Sequence, residues 1–129
     1  MGRLKRVLVI EDEEDSRELL VDVLTSSGYK VLSARNGDEA LSSARASRPD
    51  VIVLDLVMPE MSGWEFRTAQ LKDSDLAAIP VIAVSAAFGA GGEAASDLMQ
   101  SGAFQGVGFL PKPVRIDELL ATIRDLSGG

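Results

Sequence analysis

Polar residues stand where short apolar segments of the chain end, and their chemistry suits phosphate and metal ions. The carboxylates of Glu11 and Asp12 follow one apolar segment and that of Asp55 ends the next, while the Ser85 hydroxyl and the Lys112 ammonium follow two more. Such segments are typical of buried parallel strands, and open parallel sheets bind ligands beyond the carboxyl ends of their strands. The pattern therefore predicts phosphoryl and metal chemistry at one edge of one sheet.

Each of these residues alone also has an ordinary structural explanation. Acidic pairs such as Glu11 and Asp12 are usually solvated, a lone Lys112 is usually a surface residue, and Ser85 would often bond to its own backbone. Asp55 differs, because a carboxylate that ends an apolar strand is costly unless it is hydrated, paired or metal-bound. Because all of these residues are placed at the ends of predicted strands, a shared functional site is favoured over separate structural roles.

Strand and helix patterns alternate five times along the chain. The predicted strands cover residues 7–10, 30–34, 51–55, 81–84 and 107–110. The pattern predicts α/β architecture with helices on both faces of a parallel sheet.

The predicted helices have recognisable starts and apolar faces. Asp15 is expected to cap the first, which carries Leu19, Leu20, Val23 and Leu24 and stops at Gly28. Asn36 is expected to cap the second, with Ala40, Leu41 and Ala44 on its apolar face and its end before Pro49. The third and fourth run over about 64–72 and 93–101, and the last carries the stripe Ile116, Leu119, Leu120 and Ile123.

Length, charge and composition narrow the class of protein. The 129 residues suit a single domain, and the net charge of −7 argues against nucleic acid or an anionic membrane as the main partner. The absence of Cys excludes disulfides and thiolate metal sites, and the absence of His leaves phosphohistidine chemistry to another molecule. With no signal peptide or membrane span in the sequence, a cytoplasmic location is expected.

Four motifs give the chain a specific family resemblance. They read VLVIEDEED at 7–15, DVIVLDLVMPEMSGWE at 50–65, PVIAVSA at 80–86 and FLPKP at 109–113. In this order and spacing the chain resembles a response-regulator receiver domain, the phosphoacceptor module of two-component signalling. The resemblance covers a core of about residues 6–126 in a single receiver domain spanning 1–129. It implies a flavodoxin-like, doubly wound sheet of five parallel strands in the order 2-1-3-4-5.

The resemblance also implies a role for each matching residue. Asp55 is the expected phosphoacceptor and takes a phosphoryl group from a sensor histidine kinase or a histidine phosphotransfer protein. Mg²⁺ is the expected cofactor, with ligands from Asp12, Asp55 and the backbone carbonyl of Val57. Glu11, one methylene longer than the family's usual Asp, is expected to act through a water molecule.

The remaining family positions are filled by residues of matching chemistry. Lys112 and the Ser85 hydroxyl are expected to contact the phosphoryl oxygens, and Ser85 with Phe109 to act as the conformational switch. The domain is expected to catalyse only its own phosphorylation and dephosphorylation. With no output domain after Leu126, it is expected to act on a downstream protein target, to pass the group on, or to form a homodimer through the fourth helix, fifth strand and last helix.

The sequence departs from the family pattern at two places. The segment between Ser85 and Lys112 is several residues longer than usual. Val57 and Ala87 are apolar at two positions that, in the family, influence how water reaches the acyl phosphate. Neither side chain can orient an attacking water, so slow self-dephosphorylation is expected.

Other functions fit less well. A pseudo-receiver would keep the fold as a phosphorylation-independent interaction module, and it is the alternative that the motifs leave open. A phosphatase of the haloacid-dehalogenase type needs a second Asp where this chain has Val57. A flavodoxin-type protein would need phosphate-binding hydroxyls and backbone donors after the first strand, where this chain has Glu11 and Asp12.

Overall fold

Five parallel strands form one sheet in the order β2-β1-β3-β4-β5. The computed structural model describes residues 5–55, 63–85, 108–111 and 113–127. The strands are β1 (Arg6–Ile10), β2 (Lys30–Ala34), β3 (Val51–Asp55), β4 (Val81–Ser85) and β5 (Gly108–Pro111). Strand order, parallel pairing and fold class therefore confirm the prediction.

Four helices connect or follow the strands in the described part of the chain. They are α1 (Glu14–Ser26), α2 (Gly37–Ser47), α3 (Gly63–Lys72) and α4 (Ile116–Ser127). The helix predicted over about 93–101 lies outside the described residues. No helix among those described combines the length and the apolar character that crossing a bilayer requires.

Alternate residues of each strand pack against helices on opposite faces of the sheet. One face joins α2 and α3 to the sheet, in a core that includes Leu8, Ile10, Ala40, Ile52, Leu54, Phe66 and Ala83. The other joins α1 and α4 to the sheet, in a core that includes Val9, Leu20, Leu24, Val53, Val84, Leu119 and Ile123. Both faces are thus covered by helices, which is why the central strands β1, β3 and β4 are almost continuously apolar, whereas the edge strand β2 includes the exposed Lys30 and Ser33.

Two of the predicted helix boundaries are confirmed, the start of α2 at Asn36 and the end of α1 at Gly28. The side chain of Asn36 accepts a hydrogen bond from the Glu39 N–H at 2.9 Å, as an N-cap should. Gly28 adopts φ +97° after α1, where its N–H donates to the Thr25 carbonyl and that of Tyr29 to the Leu24 carbonyl. This pair of hydrogen bonds defines a Schellman motif, in which glycine avoids the strain of a positive φ.

Two predictions about α1 are wrong. The residue at the N-cap is Glu13 in extended conformation, without a side-chain capping bond, while Asp15 lies in the first helical turn. An acidic residue there is stabilised by the positive end of the helix dipole without serving as the cap. Leu19 is 59% exposed, because the buried side of α1 is centred on Leu20 and Leu24, one turn apart.

Candidate functional site

Glu11 and Asp55 meet because β1 and β3 are paired in register. Ile10 is the register partner of Leu54. The residues that follow them, Glu11 and Asp55, therefore lie side by side at the carboxyl edge of the sheet. Glu11 is 2% exposed and Asp55 is 6% exposed. Asp12, one residue further along the loop, is exposed to solvent. The edge therefore combines two buried carboxylates with one that solvent reaches.

The three carboxylates form a potential cation site. One oxygen each from Glu11, Asp12 and Asp55 lies within 4.8 Å of the others. In an octahedral Mg²⁺ site with oxygens at about 2.1 Å, adjacent ligands are roughly 3 Å apart and opposite ones roughly 4 Å apart. Three oxygens within 4.8 Å of one another are close enough to share one hard divalent cation, directly or through water. Carboxylate oxygens with retained water are the donor set that Mg²⁺ prefers.

The loop after β1 is held by hydrogen bonds from three directions. The Glu11 N–H donates to the Ala34 carbonyl at 3.1 Å, which extends the β1–β2 pairing by one residue. The Glu13 N–H donates to Glu11 Oε2 at 3.3 Å. Arg17 Nη1 donates to the backbone carbonyls of Glu11 at 3.0 Å and Asp12 at 3.3 Å.

Arg17 was not predicted from the sequence. Its signal is its position as the fourth residue of α1, because helical side chains lean toward the helix N-terminus. A long side chain there reaches back to the loop that precedes the helix. A donor such as guanidinium can then bond to the backbone carbonyls of that loop.

An apolar cavity of about 170 Å³ adjoins the carboxylates. Glu11, Ser16 and Asp55 contribute its polar lining. The apolar lining comes from α1, the sheet, the segment before α4 and the first residue of α4, and includes Leu19, Leu20, Val53, Val84, Val114 and Ile116. The surface next to Asp55 is thus mainly apolar, and the exposed Leu19 belongs to it.

The predicted switch residues lie on the neighbouring strands. Asp55 is the register partner of Val84, so the backbone of Ser85 lies one step further toward the same edge of the sheet. Phe109 pairs with Ala83 in β5, and its half-buried side chain packs against the core on the face of α2 and α3. Val57 and Lys112 lie outside the described residues. The structure therefore brings the three carboxylates together and places the Ser85 backbone beside them.

Comparison with known proteins places the chain in a family. The model of the response regulator receiver domain matches residues 7–124. The polar-differentiation response regulator DivK of Brucella anthropi is 39% identical over 125 residues, which cover 96% of this chain and 97% of DivK. The chain therefore belongs to the response regulator receiver domain family.

Solved structures agree with that assignment. The chemotaxis protein CheY4 of Vibrio cholerae superimposes with a TM-score of 0.83 and 29% identity, covering 95% of this chain and 98% of CheY4. The receiver domain of a Pseudomonas aeruginosa sensor histidine kinase, solved with a magnesium ion in its active-site cleft, gives a TM-score of 0.81. It covers 98% of this chain and 99% of that domain, and at 23% identity it supports the fold alone.

Membership of the family defines the class of function. The chain is a phosphoacceptor receiver of two-component signalling, as its similarity to DivK and CheY4 indicates. Response-regulator receivers interact with histidine kinases or phosphotransfer proteins and with downstream targets. A pseudo-receiver, the alternative left open by the motifs, is not favoured over this function.

Proposed function

We propose that Asp55 is the phosphoacceptor of this receiver and that Mg²⁺ is its cofactor. The observation that carries the proposal is a 6%-exposed Asp55 with a carboxylate oxygen within 4.8 Å of those of Glu11 and Asp12. Carboxylates this close together repel one another, and the burial of Glu11 and Asp55 strengthens the repulsion. A divalent cation suits that arrangement, because it would offset both this repulsion and the negative charge of an incoming phosphoryl group.

The proposed reaction needs little of the protein beyond position and charge. An oxygen of Asp55 attacks the phosphorus of a partner's phosphohistidine, the O–P bond forms as the P–N bond breaks, and the imidazole nitrogen keeps the bonding electrons. Phosphoryl transfer depends mainly on alignment and on stabilising charge at the equatorial oxygens. Bound Mg²⁺ would supply part of that stabilisation, held by Asp12, Asp55 and the Val57 carbonyl, with Glu11 acting through water.

The remaining roles follow from the chemistry of each side chain. We assign Lys112 as the cation that pairs with a phosphoryl oxygen, and the Ser85 hydroxyl as the donor to another. Phe109 lies two residues before Pro111 in β5, and we infer that its rotamer reports the phosphorylated state. The surface that changes is then that of β5 and α4. A downstream protein or a second copy of the chain would bind there.

We also propose that the phosphodonor contacts the apolar surface beside Asp55. A partner histidine that reaches Asp55 must approach over this edge of the sheet. Leu19, at 59% exposure, and the cavity of about 170 Å³ next to it lie on that approach. An apolar side chain of the donor inserted there would align the two reacting groups without a charge interaction. The domain itself is proposed to catalyse no other reaction.

The test of the nucleophile uses intact-protein mass spectrometry. The chain is incubated with acetyl phosphate and Mg²⁺, beside Asp55→Asn and the matched control Asp50→Asn. Asp50 stands just before the opposite end of β3, where its Oδ2 accepts from the Arg6 N–H at 2.8 Å. We expect one phosphoryl group on the parent and on Asp50→Asn, none on Asp55→Asn, and none with a chelator.

Two outcomes would contradict the proposal. An adduct that persists in Asp55→Asn would assign the phosphoryl group to another residue. No adduct on the parent, under conditions that label another receiver, would favour the pseudo-receiver instead.

A further inference from the structure

We propose that Arg17 positions the metal-binding loop, by fixing the backbone on both sides of Asp12. The inference rests on the proposed function, since it concerns the Mg²⁺ affinity of the same carboxylates. Arg17 touches no reacting group in this scheme. Its role is to hold Glu11 and Asp12 in the orientation in which they bind the cation.

The geometry of the two hydrogen bonds supports this role. A single nitrogen, Nη1 of Arg17, donates to the carbonyls of Glu11 at 3.0 Å and Asp12 at 3.3 Å. These carbonyls belong to the peptide groups that precede and follow the Cα atom of Asp12. Fixing both peptide groups fixes φ and ψ of Asp12, and with them the direction of its Cα–Cβ bond.

Asp12 needs such a constraint more than its neighbours do. Glu11 and Asp55 are nearly buried, so packing limits their rotamers, whereas Asp12 is exposed. The N-cap of α1, Glu13, makes no side-chain capping bond to the helix backbone, and its Oε1 accepts only an exposed hydrogen bond from the Ser16 hydroxyl at 3.1 Å. Arg17 is anchored in α1 through its own N–H, which donates to the Glu13 carbonyl at 2.9 Å. Arg17, a half-buried residue, thus ties the loop to the first turn of the helix.

The charge of Arg17 and its hydrogen bonds have opposite effects on Mg²⁺ affinity. A positive charge near the site repels a divalent cation, so removing the charge alone would strengthen binding. Removing the two hydrogen bonds would weaken binding, because part of the free energy of Mg²⁺ binding would then be used to order the loop. High salt separates the charge effect from the hydrogen-bond effect. At 1 M ionic strength the screening length falls to about 3 Å, so the charge repulsion is weakened.

The experiment measures Mg²⁺ binding by isothermal titration calorimetry on the full chain without phosphodonor. Parent, Arg17→Gln and Arg124→Gln are compared in 0.1 M and 1 M KCl. Arg124→Gln removes the same charge at an exposed position in the last turn of α4, away from the acidic loop. Thermal scans in chelator set a titration temperature well below the unfolding midpoint of each variant, so that unfolding is not mistaken for lost affinity.

In 1 M KCl, we expect the Kd of Arg17→Gln to rise about fivefold or more, which corresponds to roughly one hydrogen bond. Arg124→Gln should stay within about twofold of the parent, because surface substitutions away from a site have small effects. A Kd for Arg17→Gln equal to or below that of the parent in 1 M KCl would overturn the positioning role, even if the variant unfolds at a lower temperature. No Mg²⁺ binding by the parent would instead overturn the metal site itself.

Discussion

Glu11 and Asp55 lie level with each other at the ends of two paired strands, with carboxylate oxygens within 4.8 Å. The register of β1 and β3 imposes this proximity, and burial keeps most of the solvent away from both groups. Like charges at this distance repel, and the repulsion is stronger where water is excluded. The folded chain therefore has electrostatic energy to gain from a bound cation.

We expect Mg²⁺ to stabilise the fold and Asp12→Asn to remove most of that effect. With about 10 mM Mg²⁺ and a Kd near 1 mM, mass action adds roughly 1.4 kcal/mol, or about 3–6 °C in Tm for a domain of this size. Differential scanning fluorimetry in chelator and in Mg²⁺ measures the shift. Asp22→Asn, an exposed acid in the middle of α1, serves as the control and should retain the shift. An unchanged Tm for the parent would rule out a working metal site.

Leu19→Ala should slow transfer from a protein donor while leaving transfer from acetyl phosphate unchanged. Acetyl phosphate is too small to need the apolar surface, whereas the truncation of an interface anchor costs more than about 1 kcal/mol, or about fivefold. The readout is the phosphorylation rate with a histidine phosphotransfer protein that phosphorylates the parent. Leu71→Ala, an apolar truncation at 39% exposure on α3, is the control. Equal slowing with both donors would indicate damage to the site and not to the interface.

Self-dephosphorylation of phospho-Asp55 should be slow, with a half-life of minutes to hours. The side chains of Val57 and Ala87 have no hydrogen-bonding group that could orient an attacking water. Val57→Asn, which introduces an amide, should shorten the half-life, whereas Val57→Ala should not. Intact mass after removal of the phosphodonor follows the decay. A half-life of seconds for the isolated parent would contradict the prediction.

Gln70→Leu should lower the free energy of unfolding by about 2–4 kcal/mol, because buried acceptors lose their donor. Gln70 is fully buried, and its Nε2 donates to the carbonyls of Leu76 at 2.9 Å and Ile79 at 3.1 Å. Its Oε1 accepts from Arg67 Nη1 at 2.9 Å. Urea denaturation measures the loss, and Lys72→Gln, an exposed change on the same helix, should stay within about 0.5 kcal/mol. A loss below about 1 kcal/mol would show that this network contributes little.

Asp73 should make stability depend on acidic pH. The Arg45 guanidinium, 3.1 Å from Asp73 Oδ2, and the Asp75 N–H hold the pKa of Asp73 below its usual 3.8. A lowered folded-state pKa means that the contribution is complete above the unfolded value and is lost as pH falls through the folded one. Carboxyl NMR titration should show the pKa of Asp73 rising toward 3.8 in Arg45→Gln.

Arg48→Gln is the matched control for that titration. It removes a guanidinium whose salt bridge is to Asp75, at 3.6 Å, so the pKa of Asp73 should change little. A pKa of Asp73 that is the same in the parent and in Arg45→Gln would contradict the assigned cause.

Local sequence signals predicted some boundaries and failed at others for identifiable reasons. Asn36 and Gly28 were predicted correctly because a side-chain cap and a positive φ each depend on a few neighbouring residues. Asp15 was wrongly predicted as the N-cap of α1, because each of several successive acidic residues can stabilise the start of a helix. The exposure of Leu19 could not be predicted, because it depends on which arc of α1 faces the sheet.

The sequence by itself determined the strands, the burial of the central strands on both faces and the residue types at the carboxyl edge, because apolar runs and their polar ends are local patterns. Only the tertiary structure decided the distances. The register of β1 against β3 brings Glu11 level with Asp55, and the path of the loop into α1 lets Arg17 reach two successive carbonyls. The strand register depends on contacts between segments that are distant in sequence, and the reach of Arg17 depends on the three-dimensional path of the loop. No local pattern of residues specifies either of them.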